Sequence, residues 1–421
     1  MTPPSSLNRR RFLGVTATTI GGFLLPDTSK LIAAPAAAAS TGHFWYRLAP
    51  EGPYIDSQRD HQAFGFGRGK IFLSEDNGRT WPHSAEFAEA ENITFSVILK
   101  NGNILFATRA QLFLSTDNLQ THRAITVQNP DGSDYLPHTP KNPDQPGWYF
   151  HPLDGEHTWE VNGREMLVWG NYCNVFGGPV PVNIYYSTDS GQTVKIAYAF
   201  GQNPRFQQKD AEPGKLLGNP NNPLVCRHIH SVAYNPAENA FYACTGDIDR
   251  GYGNEVHWLR GTYDAQADTW DWKLLISVNS DSRFKSGGIN FVDGRLYWVA
   301  DANGPKVGPE HDRGIFSCAP ADLTNKEAHT LLFNPGFESA NMIIQDGVMI
   351  ASHCAPASTY DCGFIYSPDM GRTWAQYDLQ EFGPRSGCRF HKKNSEGWFR
   401  VDLRKGWIER GTVLFIKPKA G

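Results

Sequence analysis

The stretch CRHIHSVAYNP, residues 226–236, carries three side chains suited to acid–base chemistry on a charged substrate. Its apolar residues predict a strand, and His228 and His230, two positions apart, then lie on the same face. An imidazole can take or give a proton near neutral pH, or bind a metal ion. Arg227 can hold a carboxylate through two parallel hydrogen bonds. This stretch therefore predicts two catalytic histidines beside a substrate-binding arginine.

Similar residue types stand near other predicted strands. We interpret His157, in GEHTWEV, as a catalytic residue. We interpret four others as substrate-binding: Asn290 in KSGGINFVDG, Arg313 beside His311 in GPEHDRGIF, His353 in ASHCAP, and Arg389 near His391 in SGCRFHKK. A lone histidine is more often a hydrogen-bonded structural side chain. Because such residues recur at similar places in five predicted blades, we nevertheless predict that one central pocket holds at least three members of the following set: His157, Arg227, His228, His230, Asn290, His353 and Arg389.

Metal and disulfide patterns are weak in this sequence. His228 and His230 could ligate Zn²⁺, and a Ca²⁺ held by carboxylate and carbonyl oxygens is equally compatible, so the cofactor stays unknown and we assign no metal ligand. Seven cysteines are present and none forms a CxxC pair. Because their number is odd, at least one is free or pairs between chains. Cys354 and Cys362 could bridge a loop.

Four short stretches repeat Ser-x-Asp with a threonine four residues after the aspartate. They are LSEDNGRTW from residue 73, LSTDNLQTH from 114, YSTDSGQTV from 186 and YSPDMGRTW from 366. Apolar residues before each copy predict a strand. The aspartate is expected to accept backbone hydrogen bonds, while Gly78, Gly191 and Gly371 take a positive φ and Leu119 replaces glycine in the second copy.

These stretches resemble the Asp-box, or bacterial neuraminidase repeat, of sialidase-like β-propellers. The resemblance implies an all-β fold in which each box joins the third and fourth strands of a blade and performs no chemistry. Five further stretches predict second strands, and they begin at Asn101, Asn162, Asn239, Asp293 and Asp346. Outer hairpins are predicted within 257–272 and 313–323. We predict a seven-bladed β-propeller, with six blades as the alternative, closed by the N-terminal HFWYRLAP.

The N-terminal segment resembles a twin-arginine export signal. Arg9 and Arg10 precede an uncharged stretch and the small-residue run APAAAAS, which predicts a signal peptide over 1–40 and a single propeller domain over 41–421. We expect a secreted or periplasmic protein, with no membrane-bound segment once the signal peptide has been cleaved. The formal net charge of −4 argues against a nucleic-acid-binding protein. Part of the 13% aromatic content could stack on sugars.

The mature sequence resembles a further group of propellers. The stretches WYRLAPEGPYIDSQRDHQAFGFGRGKIFLSEDNGRTWP, WYFHPLDGEHTW, WGNYCNV and RHIHSV carry the likeness to enzymes acting on L-rhamnose-α-1,4-D-glucuronate ends of arabinogalactan. That group has lyase and rhamnohydrolase members, and ulvan lyases are more distantly similar. The resemblance implies a uronate-containing polysaccharide or oligosaccharide as the substrate. Hydrolase members use a histidine on the opposite face of the propeller, which corresponds by location to His61.

The residue types fit a lyase better than a common glycosidase. A uronate lyase needs an arginine or a metal to neutralise the carboxylate, a base for the C5 proton, and an acid for the departing oxygen. A glycosidase needs a carboxylate pair. Asp247 and Asp301 follow strands, but acids there often form turns.

Two other functions stay open from the sequence. One is a non-catalytic glycan-binding propeller. The other is a sialidase-like exo-glycosidase, although YRLAP, with Arg47, has one residue more before its proline than the sialidase pattern.

Overall fold

The chain is described by a computed structural model. Its described residues are 39–40, 42–109, 111–136, 149–172, 181–202, 215, 217–246, 253–279, 283–301, 313–335, 339, 341–354, 362–379, 381, 387–404 and 410–419. Within these ranges, no helix is long and apolar enough to cross a membrane.

The described residues form seven mainly antiparallel sheets, and each sheet is one blade of a β-propeller. The first strands of blades 1 and 2 contact each other, as do those of blades 4 and 5, 5 and 6, and 6 and 7, so the first strand of each blade is the innermost one. The prediction of a seven-bladed all-β propeller is therefore confirmed.

Blades 1 to 3 follow the chain from the inside outward. Blade 1 contains Tyr54–Arg59, Gln62–Gly67, Lys70–Ser74 and His83–Glu86. Blade 2 contains Phe95–Ile98, Ile104–Ala107, Leu112–Ser115 and Arg123–Ile125. Blade 3 contains Thr158–Val161, Arg164–Gly170, Asn183–Ser187 and Val194–Ala199, with Val127–Gln128 at its outer edge.

Blades 4 to 6 have the same order. Blade 4 contains Ile229–Asn235, Ala240–Thr245, Val256–Asp264 and Thr269–Val278. Blade 5 contains Ser286–Val292, Arg295–Ala300, Gly314–Cys318 and Thr330–Phe333. Blade 6 contains Met342–Gln345, Val348–Cys354, Cys362–Ser367 and Ala375–Asp378. All five predicted second strands are found in second position.

Blade 7 joins the two ends of the chain. Gly387–Lys393, Phe399–Arg404 and Arg410–Pro418 form its inner three strands. The fourth is the N-terminal Phe44–Leu48, in antiparallel register from Phe44 opposite Pro418 to Leu48 opposite Leu414, and Ala39–Ser40 adds a short edge. This confirms the predicted closure, which pairs the last strand of the chain with the first long one.

Short 3-10 helices occupy Ala90–Asn92, Pro320–Asp322 and Lys326–Ala328. The last two separate the third and fourth strands of blade 5. The predicted hairpin within 313–323 was therefore too short, because its outer strand begins only at Thr330. Pro320 explains the interruption, since proline has no N–H to donate and favours the first turn of a helix over a continuing strand.

The four repeated turns join third and fourth strands in blades 1, 2, 3 and 6. In blade 1, the Ser74 hydroxyl donates to Asp76 at 2.8 Å and accepts from the Gly78 N–H at 2.8 Å. Asp76 also accepts from the backbone N–H and the hydroxyl of Thr80, at 2.8 and 2.7 Å. The other three turns repeat this pattern. The predicted turn geometry is confirmed, including positive φ at the three glycines and at Leu119.

The core lies between the blades. Trp169, Trp258 and Trp298 are completely buried in blades 3, 4 and 5, and each indole N–H donates to a backbone carbonyl. Each large ring can therefore be buried without leaving its one polar group, the indole N–H, unpaired. Cys226, Cys244, Cys318 and Cys388 are buried. Cys354 and Cys362 face each other as strand partners, but their side chains lie outside the described part of the structure.

Candidate functional site

Segment 151–157 crosses the propeller axis. His151 Nδ1 lies 2.6 Å from the Thr94 carbonyl before blade 2, and the Leu153 carbonyl accepts from Asn341 before blade 6. Asp154 accepts from the Ser231 hydroxyl and the Val232 N–H of blade 4. The Gly155 carbonyl lies 3.2 Å from His391 Nδ1 of blade 7. Since the segment touches innermost elements on several sides of the ring, it divides the axis into two ends.

We call the end where the innermost strands begin the upper end, and the other the lower end. Tyr172, His228, His230, Lys285 and Asp301 meet at the upper end, and we call them the upper cluster. All five are buried. The Tyr172 and His228 rings stack at 3.9 Å between centroids, and the His230 ring lies 4.9 Å from that of His228 and 5.7 Å from that of Tyr172.

Three blades supply the upper cluster. Tyr172 follows the second strand of blade 3, and His228 and His230 stand at the start of the innermost strand of blade 4. The register of that strand shifts between Ile229 and Ser231, which leaves His230 in a β-bulge. A bulge turns a side chain away from strict alternation. Lys285 and Asp301 flank the first hairpin of blade 5, where the Asp301 N–H donates to the Lys285 carbonyl at 2.6 Å.

Charged groups are paired inside the upper cluster. Asp301 Oδ2 lies 3.3 Å from His230 Nδ1 and 3.4 Å from Lys285 Nζ. A buried carboxylate between an imidazole and an ammonium offsets the cost of burying the cation. The arrangement brings two imidazoles, a phenol and an ammonium together, so it can move protons near a bound anion.

A second candidate site is a cavity of about 360 Å³ that opens at the lower end. It lies within the usual size range of small-molecule pockets. Its lining comes from blades 1, 2, 3, 6 and 7 and includes Asp56, Arg59, Ser96, Glu156, His157, Glu160, Glu165, Gln345, Arg389, His391 and Lys392. Two ion pairs lie there, one between Arg59 of blade 1 and Glu165 of blade 3, the other between Lys392 of blade 7 and Glu156 of segment 151–157.

Behind the cavity, blade 7 holds a buried charge network. Asp402 Oδ2 lies 2.9 Å from His391 Nε2 and 3.4 Å from Arg389 Nε, and Asp402 Oδ1 lies 3.0 Å from Arg400 Nε. Burial raises the pKa of Asp402, but the charges of Arg400 and the other two partners outweigh it and the net shift is downward. Burial lowers the pKa of His391 to about 4, with Arg400 acting in the same direction.

His157 lines this cavity, and its Nδ1 lies 3.6 Å from Asp154 Oδ1. Burial, then the Arg389 charge, lowers the pKa of His157 well below its usual value, so this ring is neutral at neutral pH. Burial raises the pKa of Asp154 to about 7, against the lowering effect of the hydrogen bonds from Val232 and Ser231. His157 is therefore a weak base, and its neutral ring is suited to hydrogen bonding.

The structure does not gather all the residues predicted from the sequence into one pocket. It brings His228 and His230 together at the upper end, directly after the half-buried Arg227, and places His157 and Arg389 on the lower cavity. Asn290 bridges two blades, because its side-chain amide donates to the Met342 carbonyl and accepts from the Ile344 N–H.

The remaining predicted residues have the following positions and contacts. Arg313 is buried just before the third strand of blade 5, and His353 lies 3.4 Å from Asp378 in blade 6. His61 is exposed in the turn between the first two strands of blade 1, at the lower end. Arg47 packs against Trp398 and Phe415 in blade 7. Asp247 and His311 lie outside the described residues.

Sequence reasoning missed Tyr172 and Lys285 and interpreted Asp301 as a turn residue. The available signal was positional. WGNYC and VADAN both end second strands, and those ends meet the starts of innermost strands at the upper end. Lys285 carries no comparable signal, because its place beside His230 depends on the packing of blade 5 against blade 4. Among described residues, no three histidine, cysteine, aspartate or glutamate side chains cluster closely enough to hold a metal ion.

Comparison with known proteins shows the fold alone. No protein-family model matches the chain, and no curated protein is significantly similar to it. Among solved structures, YCF48 from Cyanidioschyzon merolae is 16% identical over 88% of this chain and 98% of its own, with a TM-score of 0.41. An ancestral GH74 enzyme is 12% identical over 93% of this chain and 51% of its own, with a TM-score of 0.44.

The β-propeller domain of the Trilobed protease from Pyrococcus furiosus is also similar. It is 8% identical over 94% of this chain and 97% of its own, with a TM-score of 0.43. The evidence for the function of this chain must come from its own side chains.

Proposed function

We propose that this protein is an exported carbohydrate-active enzyme that cleaves terminal L-rhamnose-α-1,4-D-glucuronate linkages by β-elimination. The observation that carries the proposal is the upper cluster, in which the rings of Tyr172, His228 and His230 lie within 6 Å of one another. Lys285 supplies a buried positive charge near these proton-transferring groups. A uronate substrate offers both the anion and the acidic proton that such an arrangement suits.

In the proposed reaction, His230 removes the proton from C5 of the glucuronate. The electron pair forms a C4–C5 double bond and the C4–O bond breaks. The stacked pair of Tyr172 and His228 provides the proton that the departing oxygen receives, so rhamnose leaves with a hydroxyl group. No water is consumed. Cations beside the glucuronate carboxylate make the C5 proton easier to remove, because they stabilise the negative charge that develops there.

A product assay tests this proposal. The purified protein is incubated with a rhamnosyl-glucuronate oligosaccharide, and ultraviolet absorbance of the unsaturated uronate is followed together with free rhamnose. We expect both signals to rise at equal rates in the wild type and to fall by at least about a hundredfold in His230→Ala, since general acid–base groups contribute on this scale. Absence of both products contradicts the enzyme proposal and leaves glycan binding, which calorimetry with the same oligosaccharide would detect.

Hydrolysis at the lower cavity is the second candidate. Neutral His157, Arg389 and the carboxylates of Glu156, Glu160 and Glu165 line one polar cavity, which also suits a sugar. Free rhamnose with a saturated uronate in the same assay would favour this site. The sialidase-like alternative predicts release of sialic acid from a sialoside instead.

Export by the twin-arginine pathway is part of the proposal and rests on Arg9 and Arg10. Replacing both with lysine should leave the precursor in the cytoplasm, whereas the unchanged chain should appear outside it, shortened by about the first forty residues. Equal distribution of the two forms would contradict export by this route.

A further inference from the structure

Asp301 is the acidic member of the upper cluster, and its position is fixed by blade 5. It directly follows the second strand, and its backbone N–H donates to the Lys285 carbonyl at 2.6 Å. The two residues therefore form the last pair of one hairpin, with both side chains buried at the upper end. His230 approaches from the neighbouring blade 4.

One carboxylate oxygen serves both neighbours. Asp301 Oδ2 lies 3.3 Å from His230 Nδ1 and 3.4 Å from Lys285 Nζ. A carboxylate beside Nδ1 favours the tautomer that carries its proton on that nitrogen, which makes Nε2 the basic nitrogen of the ring. The same negative charge favours the protonated form of His230 and the ammonium form of Lys285.

The Lys285 side chain is held from its other side by Gly246. A β-carbon added at Gly246 would lie 2.7 Å from Lys285 Cγ, so only glycine leaves space for the lysine stem. The Lys285 side chain is thus confined between the Gly246 backbone and the Asp301 carboxylate. Because its side chain is already confined, Lys285 loses less rotamer freedom when it binds an anion.

We propose that Asp301 is a positioning residue that sets the tautomer of His230 and fixes the Lys285 ammonium beside it, so that one base and one cation face a bound hexuronate together. This inference rests on the proposed function for its substrate. The tautomer and the proton affinity of His230 are properties of the free protein, however, and can be measured without any substrate.

The first test is nitrogen NMR of histidine-labelled protein, with the His230 signals assigned by His230→Gln. We expect neutral His230 to carry its proton on Nδ1 and to titrate at a lower pH in Asp301→Asn, because the favourable charge is removed while the shape is kept. Asp271→Asn is the matched control, since Asp271 pairs with Lys273 on the exposed outer strand of blade 4. It should leave the His230 titration unchanged.

The second test is the pH dependence of the elimination reaction. Asp301→Asn should lower kcat at least about tenfold with less than a threefold change in KM, and should move the acid limb of the profile to lower pH. An unchanged His230 titration together with an unchanged profile would overturn the proposal. If Asp301→Asn does not fold, the wild-type protein decides alone: a neutral His230 that carries its proton on Nε2 would overturn the proposal. A wild type without elimination activity refutes the proposed function, while the NMR result still decides the role of Asp301.

Discussion

At the scale of single residues, His228 and His230 of blade 4 both approach Tyr172, with ring centroids at 3.9 and 5.7 Å. They do so although the strand register shifts between Ile229 and Ser231. Their common face could be predicted from spacing, since strand side chains alternate. The pairing of His230 with Asp301 could not be predicted, because it depends on the packing of blade 5 against blade 4.

Arg227 directly precedes these histidines and is partly exposed. If it holds the substrate carboxylate, Arg227→Lys keeps the charge but loses the planar fork for two parallel hydrogen bonds. We expect turnover to fall about tenfold or more, equal to about 1.4 kcal/mol of transition-state stabilisation, with little change in the melting temperature. Steady-state kinetics and thermal unfolding measure both. Full turnover, or a large loss of stability instead, would remove Arg227 from the site.

Asp154 gives a prediction about pH. Burial raises the pKa of its carboxyl to about 7 in the folded protein, above the unfolded value near 4. Its contribution to stability is therefore complete below the unfolded pKa and is lost as the pH rises through 7. Asp154→Asn keeps the shape without a titrating proton. The wild type should lose stability relative to this variant, on the order of 2 kcal/mol, between pH 5 and 8.

Denaturant unfolding at several pH values measures the difference between wild type and Asp154→Asn. Asp76→Asn is a suitable control. Partial burial raises the pKa of Asp76, but hydrogen bonds from Thr80 and Ser74 bring the net shift downward, so Asp76 titrates well below this pH range. A stability difference between wild type and Asp154→Asn that does not vary with pH would show that Asp154 does not bind its proton more tightly in the folded state.

At the scale of elements, segment 151–157 and the repeated turns have different roles. The segment separates the upper cluster from the lower cavity, and Gly155 permits its close approach to blade 7, since an added β-carbon would lie 2.0 Å from the Phe390 carbonyl oxygen. The turns hold the outer strands. Their pattern could be predicted because all their hydrogen bonds are local in sequence. The course of the segment could not, because its partners lie on four distant blades.

The turn of blade 1 should contribute to stability without affecting chemistry. Asp76→Ala removes the acceptor for the Thr80 and Arg79 N–H groups and for two hydroxyls. We expect the free energy of unfolding to fall by about 1–2 kcal/mol, the usual cost of leaving such groups without partners. Turnover should be unchanged because the turn lies on an outer hairpin. Asp271→Ala, on an exposed strand, should change stability by less than about 0.5 kcal/mol.

Urea unfolding of wild type, Asp76→Ala and Asp271→Ala provides this comparison, with the product assay as the measure of turnover. Equal stability of the two variants would show that the repeated turns do not stabilise the propeller.

At the scale of the whole molecule, stability depends on ring closure in blade 7. Phe44 is buried, and its ring lies 5.4 Å from that of Phe364 and 5.3 Å from that of Tyr377. Repeats and alternating strands were enough to predict seven blades and the closing N-terminal strand. The division of the axis into two ends was not predictable, because it depends on the contacts of segment 151–157 with four blades that are distant in sequence.

Closure can be tested with two adjacent residues of the closing strand. Phe44→Ala should cost about 3–5 kcal/mol, the range for a buried phenylalanine, and should promote aggregation by freeing the edge of Arg410–Pro418. Trp45→Ala is the control, because Trp45 is 45% exposed on the same strand. Thermal unfolding and light scattering should separate the two variants clearly. Equal effects would mean that the closing strand is not part of the cooperative unit.

The most direct test of the central claim is the mass of the uronate product formed in water enriched in heavy oxygen. Elimination at the upper cluster consumes no water, so we predict a glucuronate product that is lighter by one water molecule than saturated glucuronate and contains no heavy oxygen. It should be absent with His230→Ala. A saturated uronate released together with rhamnose that has gained heavy oxygen would contradict elimination, and a substrate that remains intact would contradict the enzyme assignment.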